Sequence, residues 1–358
     1  MSNTKIPTVR WDGKDLFILD QTLLPITVKE IKLNTVEEAY NSIKELKVRG
    51  APAIGVAAAY SLLIKLREKT NLPTNEFFKI VKERADYLNS SRPTAVNLSY
   101  ALNRMVNKIE SLKIDSSLDL YNILENEAKN IHSEDENICR KIGEYGVELL
   151  KNDFGILTHC NAGRLAVSGI GTALAPMYIA QEKNIKIRVY ADETRPLLQG
   201  ARLTSFELFE SGIDVTLICD NMAAFIMSKG LIDIAITGCD RVAENGDAAN
   251  KIGTMGVAIL SKYFNIPFYI ACPSTTFDLN AKTGADIIIE ERDAKEVINF
   301  AGVQTAPSNV KVKNPAFDVT PNELITGFIT EKGIIKPPYN CHEKPYTQLY
   351  NLKTSCSL

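Results

Sequence analysis

The chain has no block of like charge, no Cys-x-x-Cys and no histidine pair at a metal-binding spacing. Lys and Arg total 41 against 43 Asp and Glu, a formal charge of −2 over 358 residues. That balance excludes a generally basic nucleic-acid binder, but it leaves room for a local cationic pocket and so for an anionic small substrate. Only His132, His159 and His342 occur, and no two stand as His-x-x-x-His. A zinc enzyme is therefore not expected, and no metal is assigned. The seven cysteines (Cys139, Cys160, Cys219, Cys239, Cys272, Cys341 and Cys356) are odd in number. Without a signal sequence they read as thiols kept reduced in the cytoplasm.

Long apolar runs are missing too. The longest uncharged stretch, Leu165 to Gln181, is broken by Ser168, Gly169, Gly171, Thr172 and Pro176. It falls short of the roughly 20 apolar residues that a spanning helix needs, so no membrane partner is expected. Met1-Ser2-Asn3-Thr4-Lys5-Ile6-Pro7 contains no apolar h-region, and no secretory signal is expected. Gly-x-x-x-x-Gly-Lys-Ser/Thr is absent, which removes an ordinary P-loop NTPase. Gly169-Ile-Gly171-Thr-Ala-Leu174 imitates a dinucleotide fingerprint, but its third glycine is missing and it lies well past the nearest strand. It reads as a turn before a helix, and no nucleotide cofactor is expected.

What is present fits an ordinary globular chain, 45% hydrophobic and 23% charged, long enough for one large or two modest domains. Residues 5–29 read as short strands, with Trp11-Asp12-Gly13-Lys14-Asp15 turning between Thr8–Trp11 and Leu16–Leu19. Thr35 with Glu38 forms a capping box that opens a helix to about Lys47. Pro52 suits a helix's first residue, with Ala53 to Leu66 helical behind it. Further helices are expected at 75–88, 93–112 and 117–151.

From residue 153 short Val/Ile/Leu-rich runs alternate with helical ones. Strands are expected at Gly155–His159, Ile187–Ala191, Val215–Ile218, Ile232–Thr237, Pro267–Ala271 and Asp286–Ile289, with helices near 172–182, 200–211, 221–229 and 254–264. That alternation predicts an α/β fold with a doubly wound, Rossmann-like parallel sheet. The expected division is a mostly helical domain with a small antiparallel sheet over 1–130 and a Rossmann-like domain over 131–358. The active site is expected in the cleft between them.

Ligands of open α/β sheets bind beyond the carboxyl ends of the strands. Cys160, Asn161 and Arg164 follow the first strand, Asp192, Arg195 and Gln199 the second, and Asp240, Arg241, Asn250 and Lys251 the fourth. Cys160 reads as a nucleophile, a base or an inert buried thiol. Its neighbour His159 is poorly placed for a dyad, because successive strand residues face opposite ways. Asp240 reads either as a structural carboxylate paired with Arg241, or as an acid or base whose proton an apolar setting would retain. In the first half, Arg49-Gly50-Ala51-Pro52 and Arg92-Pro93-Thr94 each lead into a helix. Two such ends could clamp one phosphate with free N–H groups and guanidinium donors, or carry two ordinary solvated arginines.

These runs together resemble a known family. Arg49-Gly-Ala-Pro-Ala-Ile-Gly55, Thr158-His-Cys-Asn-Ala-Gly163, Asp192-Glu-Thr-Arg-Pro-Leu-Leu-Gln-Gly-Ala-Arg202 and Thr237-Gly-Cys-Asp-Arg-Val-Ala-Glu-Asn-Gly-Asp247 look like methylthioribose-1-phosphate isomerases. So do Asn250-Lys-Ile-Gly-Thr254 and Asn314-Pro-Ala-Phe-Asp-Val-Thr-Pro321. The resemblance implies an aldose–ketose isomerase of methionine salvage, converting 5-methylthioribose 1-phosphate to 5-methylthioribulose 1-phosphate. It implies catalysis by Cys160 and Asp240, and substrate contacts from Arg49, Gly50, Ala51, Arg92, Gln199, Asn250 and Lys251. It also implies a cytoplasmic homodimer without cofactor or metal. Sister isomerases of ribose 1,5-bisphosphate or 5-deoxyribose 1-phosphate share the catalytic pair. The same family includes regulatory subunits of the translation-initiation guanine-nucleotide exchange factor, a non-catalytic alternative.

Overall fold

A computed structural model of the chain describes residues 7–93 and 95–339; Thr94, Cys341, His342 and Cys356 lie outside the described residues. The chain divides into two compact units, one formed by the described residues through Asn137 with Arg164–Gly171, the other by Ile138–Gly163 with those from Thr172 onward.

The first unit opens with an antiparallel meander of β1 (Val9–Trp11), β2 (Leu16–Leu19) and β3 (Glu30–Leu33), in the order β1-β2-β3. The turn forms because Asp12 accepts the amides of Lys14 and Asp15 at 2.9 and 2.7 Å. β3 lies just beyond the segment expected to be extended. Helices follow: α1 (Val36–Lys44), α2 (Ala51–Leu63), α3 (Thr74–Asn89), α4 (Val96–Glu110) and α5 (Ser117–Gly146), the last of which belongs to the second unit from Ile138 onward. Half of the expected capping box forms at α1. Thr35 Oγ1 accepts the Glu38 amide at 3.0 Å, while the Glu38 carboxylate turns back to the Asn34 amide at 2.7 Å. Every residue of α2 from Ala53 to Leu63 is buried. A helix apolar on all sides belongs in a core, and its small residues let α4 pack closely against it.

One carboxyl in this unit is out of place electrostatically. Asp135, on α5, is buried and accepts the Ser168 amide at 2.7 Å. Burial pushes its pKa up to about 6, against the pull of that hydrogen bond. A raised carboxyl pKa means that ionising Asp135 costs more in the folded chain than in the unfolded one. Stability therefore falls as pH rises from about 4 to about 6, and stays lower above that. Asp135→Asn keeps an acceptor for Ser168 without the charge. It is expected to stabilise the protein by about 1–3 kcal/mol at neutral pH and by little near pH 4. Urea denaturation at both pH values checks this, and an equal effect at each would count against the buried charge.

The second unit holds strands β4 (Phe154–Thr158), β5 (Ile187–Asp192), β6 (Asp214–Ile218), β7 (Ile234–Thr237), β8 (Arg241–Ala243), β9 (Ala248–Lys251) and β10 (Phe268–Ala271). Beyond these lie β11 (Phe277–Asp278), the hairpin β12 (Asn299–Phe300) and β13 (Val303–Gln304), β14 (Phe317–Thr320), β15 (Gly327–Thr330) and β16 (Gly333–Ile335). Its further helices are α6 (Ala175–Glu182), α7 (Ser205–Glu210), α8 (Ala223–Ser228) and α9 (Thr254–Tyr263). Seven strands form one sheet in the order β16-β15-β10-β7-β4-β5-β6, parallel except for β16. β4 and β7 are buried along nearly their whole length, as a sheet covered on both faces requires.

Two expectations are corrected here. Asp286–Ile289 is not a strand: Thr283 and Asp286 cap each other around a 3-10 turn, and Ile288 is 93% exposed. The place beside β10 belongs to β15, which pattern alone did not reveal. The segment after β7 is also not a loop. It folds back as β8 and β9, within a separate four-stranded sheet in the order β11-β8-β9-β14.

Candidate active site

The chain enters the seven-stranded sheet at its middle. From β4 it builds outward through β5 and β6, then crosses to β7, β10 and β15 on the other side. The winding reverses between β4 and β7, and such a switch point opens a crevice at the strands' carboxyl ends. Cys160 follows β4 and Asp240 follows β7, so the two expected catalytic residues flank that reversal. The loops bearing them pack together: a Cβ on Gly238 would come within 2.6 Å of the Ala162 methyl.

Cys160 is half-buried, with φ at 66°, a left-handed conformation uncommon outside glycine. Both of its backbone polar groups are pinned. Its amide donates to Thr194 Oγ1 at 2.8 Å, and its carbonyl accepts from Thr204 Oγ1 at 2.6 Å. Asn161 donates to Thr204 Oγ1 at 3.1 Å and to Glu207 at 2.5 Å, and Tyr178 donates to Glu207 at 2.7 Å. A non-glycine residue holds such a conformation only where its surroundings over-determine it, as they do here.

Asp240 is exposed, not buried in an apolar setting, which corrects the expectation from sequence. Its amide donates to the Ala249 carbonyl at 3.0 Å, fixing it at the root of the β8–β9 hairpin. Arg241 turns to Asp278 at 3.6 Å, so the alternative of an Asp240–Arg241 pair is not seen. Asn250 and Lys251 end β9 and are buried. Asn250 donates to Thr254 Oγ1 at 2.9 Å, and Lys251 Nζ donates to the Ala316 carbonyl at 2.8 Å while lying over the Phe317 ring. Gln199 is buried, and its Oε1 has no hydrogen-bond partner among the described residues. An orphan acceptor costs about 1–3 kcal/mol, which a ligand hydroxyl would recover.

Arg49, Gly50, Ala51 and Arg92 lie in the first unit. Gly50 caps α2 and Ala51 begins it; Arg92 stands in the turn before α4, its carbonyl accepting the Ala95 amide at 3.0 Å. Both arginines are half-buried, not fully solvated.

Sequence reasoning missed the buried polar layer behind Cys160. His159 Nδ1 lies 2.9 Å from Asp192 Oδ2, and Nε2 lies 2.8 Å from the Ile252 carbonyl oxygen. Asp220 accepts the amides of Thr194 and Arg195 at 2.7 Å each. Burial alone pushes the His159 imidazole down, but Asp192, the Ile252 carbonyl and Asp220 overcome it and hold it above its ordinary value. The polar atoms of His159, Asp192 and Asp220 lie within 4.8 Å of one another, a grouping that could hold a cation. Both ring nitrogens are already engaged, Nε2 with the Ile252 carbonyl and Nδ1 with Asp192, so His159 offers neither to a metal. A lone Glu207 inside the apolar run Phe206–Phe209 was the visible hint that this layer exists.

Among the described residues no helix is long and apolar enough to cross a membrane. The chain is 56% identical over 333 residues to a protein of Clostridium botulinum named 5-deoxyribose 1-phosphate isomerase, covering 92% of this chain and 95% of that one. A Bacillus thuringiensis protein of the same name is 54% identical over 343 residues, covering 95% and 97%. Among solved structures, 5-methylthioribose 1-phosphate isomerase from Pyrococcus horikoshii superposes with a TM-score of 0.92 at 40% identity, covering 98% of this chain and 97% of that one. A structure described as translation initiation factor eIF-2B, subunit delta, from A. fulgidus gives 0.87 at 46% identity, covering 94% and 97%. The model of the Initiation factor 2 subunit family matches residues 47–337, and the chain belongs to that family.

Proposed function

We propose that the protein is an aldose–ketose isomerase acting on a 5-deoxypentose 1-phosphate, with Cys160 and Asp240 as its catalytic pair. The position of these two residues just after the adjacent strands β4 and β7, where the sheet reverses, supports the reading. The substrate favoured is 5-deoxyribose 1-phosphate, because relatives above 50% identity bear that activity in their names. The reading from sequence, 5-methylthioribose 1-phosphate and methionine salvage, is second, supported by a structure at 40% identity.

The chemistry follows from the substrate. A phosphate on the anomeric oxygen stops the ring from opening as a free hemiacetal does. An acid must protonate the ring oxygen while C1 becomes carbonyl-like, and Asp240 is assigned that proton. Hydrogen then moves from C2 to C1, with Cys160 as the group assigned to help it, and the C2 hydroxyl releases a proton as its carbon becomes the carbonyl, matching the one given to the ring oxygen. C1 is reduced as C2 is oxidised, so the electrons balance within the sugar and no external redox partner is required. Gln199, Asn250 and Lys251 are assigned to the sugar, and Arg49, Gly50, Ala51 and Arg92 to the phosphate.

The deciding experiment offers the purified protein 5-deoxyribose 1-phosphate, 5-methylthioribose 1-phosphate and ribose 1,5-bisphosphate, and follows ketose formation. Highest kcat/KM on the first is expected. Turnover of none would favour the non-catalytic alternative.

We also propose a homodimer. Met255, Ile259 and Tyr263 recur every four residues along α9 and are exposed, Tyr263 by 77%. The neighbouring α8 adds Phe225, 60% exposed. A continuous apolar face of this kind marks an interaction surface. Tyr263→Lys combined with Phe225→Lys is expected to shift the mass measured by light scattering from dimer to monomer. An unchanged mass would place the interface elsewhere.

A further inference from the structure

We propose that His159 is a buried imidazolium that fixes the backbone of Cys160 against the end of β9, a positioning residue for the reaction. The role rests on the reading of Cys160 and Lys251 given above. The ring's contacts carry the argument. A carbonyl oxygen only accepts, so the Nε2 facing Ile252 must bear a proton. The Nδ1 faces a carboxylate. An ionised Asp192 also only accepts, and the ring then carries both protons.

The surroundings select that state. The charged groups facing His159 are Asp192 at the end of β5, Asp220 after β6 and Asp318 on β14. Asp318 accepts the amides of Gly253 and Met255 at 2.7 and 3.1 Å. Burial pushes the carboxyls of Asp192 and Asp318 up, and the imidazolium in their midst pulls both back toward the ionised form. Burial keeps that charge effective: His159 is 2% exposed and Asp192 1%.

The two ends of this network reach the proposed machinery. On one side, Asp220 holds the Thr194 amide, and the Thr194 hydroxyl bridges the Asp192 carbonyl at 3.0 Å and the Cys160 amide at 2.8 Å. On the other, Ile252 directly follows Lys251, and a Cβ on Gly253 would come within 2.7 Å of the ring, so the turn after β9 packs closely against the imidazole. Losing the charge frees both ends at once.

The test uses the full chain, whose three histidines keep its nitrogen NMR spectrum simple. The resonances lost in His159→Gln identify the ring. Both of its nitrogens are expected to stay protonated at pH values where an ordinary histidine has lost one proton. A ring with one proton there overturns the proposal. Asp192→Asn keeps an acceptor and removes the charge. It is expected to lower the ring's titration by roughly one unit or more, and to move the alkaline limb of kcat/KM down with it. A limb that stays in place while the ring shifts overturns the positioning role. His159→Gln is expected to lower kcat roughly tenfold or more and to change the rate at which iodoacetamide alkylates Cys160, read on the Cys160 peptide by mass spectrometry. Unchanged kcat and alkylation in the folded variant also overturn it. The NMR and alkylation readings need no substrate. If the wild type turns over no sugar phosphate, the proposed function fails while the state of His159 is still decided.

Discussion

Asp240→Asn is expected to leave the protein folded and to lower kcat about 10²–10⁴-fold, the range a positioned general acid contributes. The amide is nearly isosteric, and the substitution keeps the backbone bond from Asp240 to the Ala249 carbonyl. A cooperative thermal transition should therefore accompany the loss, since the substitution keeps the volume of the side chain and the backbone bond to Ala249. The amide has no acidic proton to give the ring oxygen, so the phosphorylated sugar stays closed. Because Asp240 is exposed, the exclusion of water around it is assigned to the bound substrate. Substrate truncated at C5 should then lose kcat as well as affinity. Cys160→Ser should fall as far as Asp240→Asn, because a hydroxyl ionises far less readily than a thiol. Deuterium placed at C2 separates the two routes for the hydrogen. Partial loss to water marks proton abstraction through an enolate, and full retention at C1 marks a hydride shift or a fully shielded base. Near-normal turnover by Asp240→Asn would remove the acid from the mechanism.

How much of this was legible in the sequence depended on the range of the interaction involved. Local devices were read directly: the Asp12 turn, the Thr35 cap and the glycine before α2 are settled within four residues of themselves. Alternating β and α segments gave the sheet its class. Strand order was not legible, because β15 reaches the sheet from almost sixty residues beyond β10 and nothing in Gly327–Thr330 distinguishes it from other short apolar runs. Asp286–Ile289 failed for the opposite reason: its isoleucines imitate a buried strand, yet Ile288 faces solvent. For the site, position after a strand made Cys160 and Asp240 candidates among many and the family resemblance made them the expected pair, while the adjacency of their strands needed the order β7-β4, which only tertiary pairing fixes. His159 was discounted on strand alternation. The left-handed Cys160 breaks that alternation at the next residue, and the partners of His159 on Asp192 and Ile252 lie 33 and 93 residues away.

Gly50→Ala is expected to destabilise the first unit by on the order of 3–5 kcal/mol, among the largest single-residue effects available in the chain. Two separate costs combine. Gly50 sits at φ 90° and ψ 130°, a region essentially reserved for glycine, where a side chain costs about 1–3 kcal/mol. A Cβ there would also lie 2.2 Å from the Ala166 carbonyl oxygen and 2.4 Å from its Cα. These are backbone atoms of Arg164–Ala166, which cannot swing aside as a side-chain tip can. That segment is itself tied down, with the Arg164 carbonyl accepting from Thr8 at 2.8 Å and the Leu165 carbonyl from Gln21 at 2.7 Å. Relief would therefore have to come from α2, which is buried over nearly its whole length. Arg92→Ala provides the contrast. It removes a half-buried arginine ahead of α4 without a steric clash. If Arg92 holds the phosphate, the loss of one charge-assisted bond raises KM by an amount equivalent to about 1.5–3 kcal/mol, with a smaller change in unfolding free energy. Urea titrations on the two variants should thus separate them: Gly50→Ala moves the unfolding midpoint far, whereas Arg92→Ala moves it little and shows its effect in KM. A Gly50→Ala protein as stable as the wild type would mean that the turn before α2 rearranges at little cost, and that the close approach to Ala166 does not hold α2 in place.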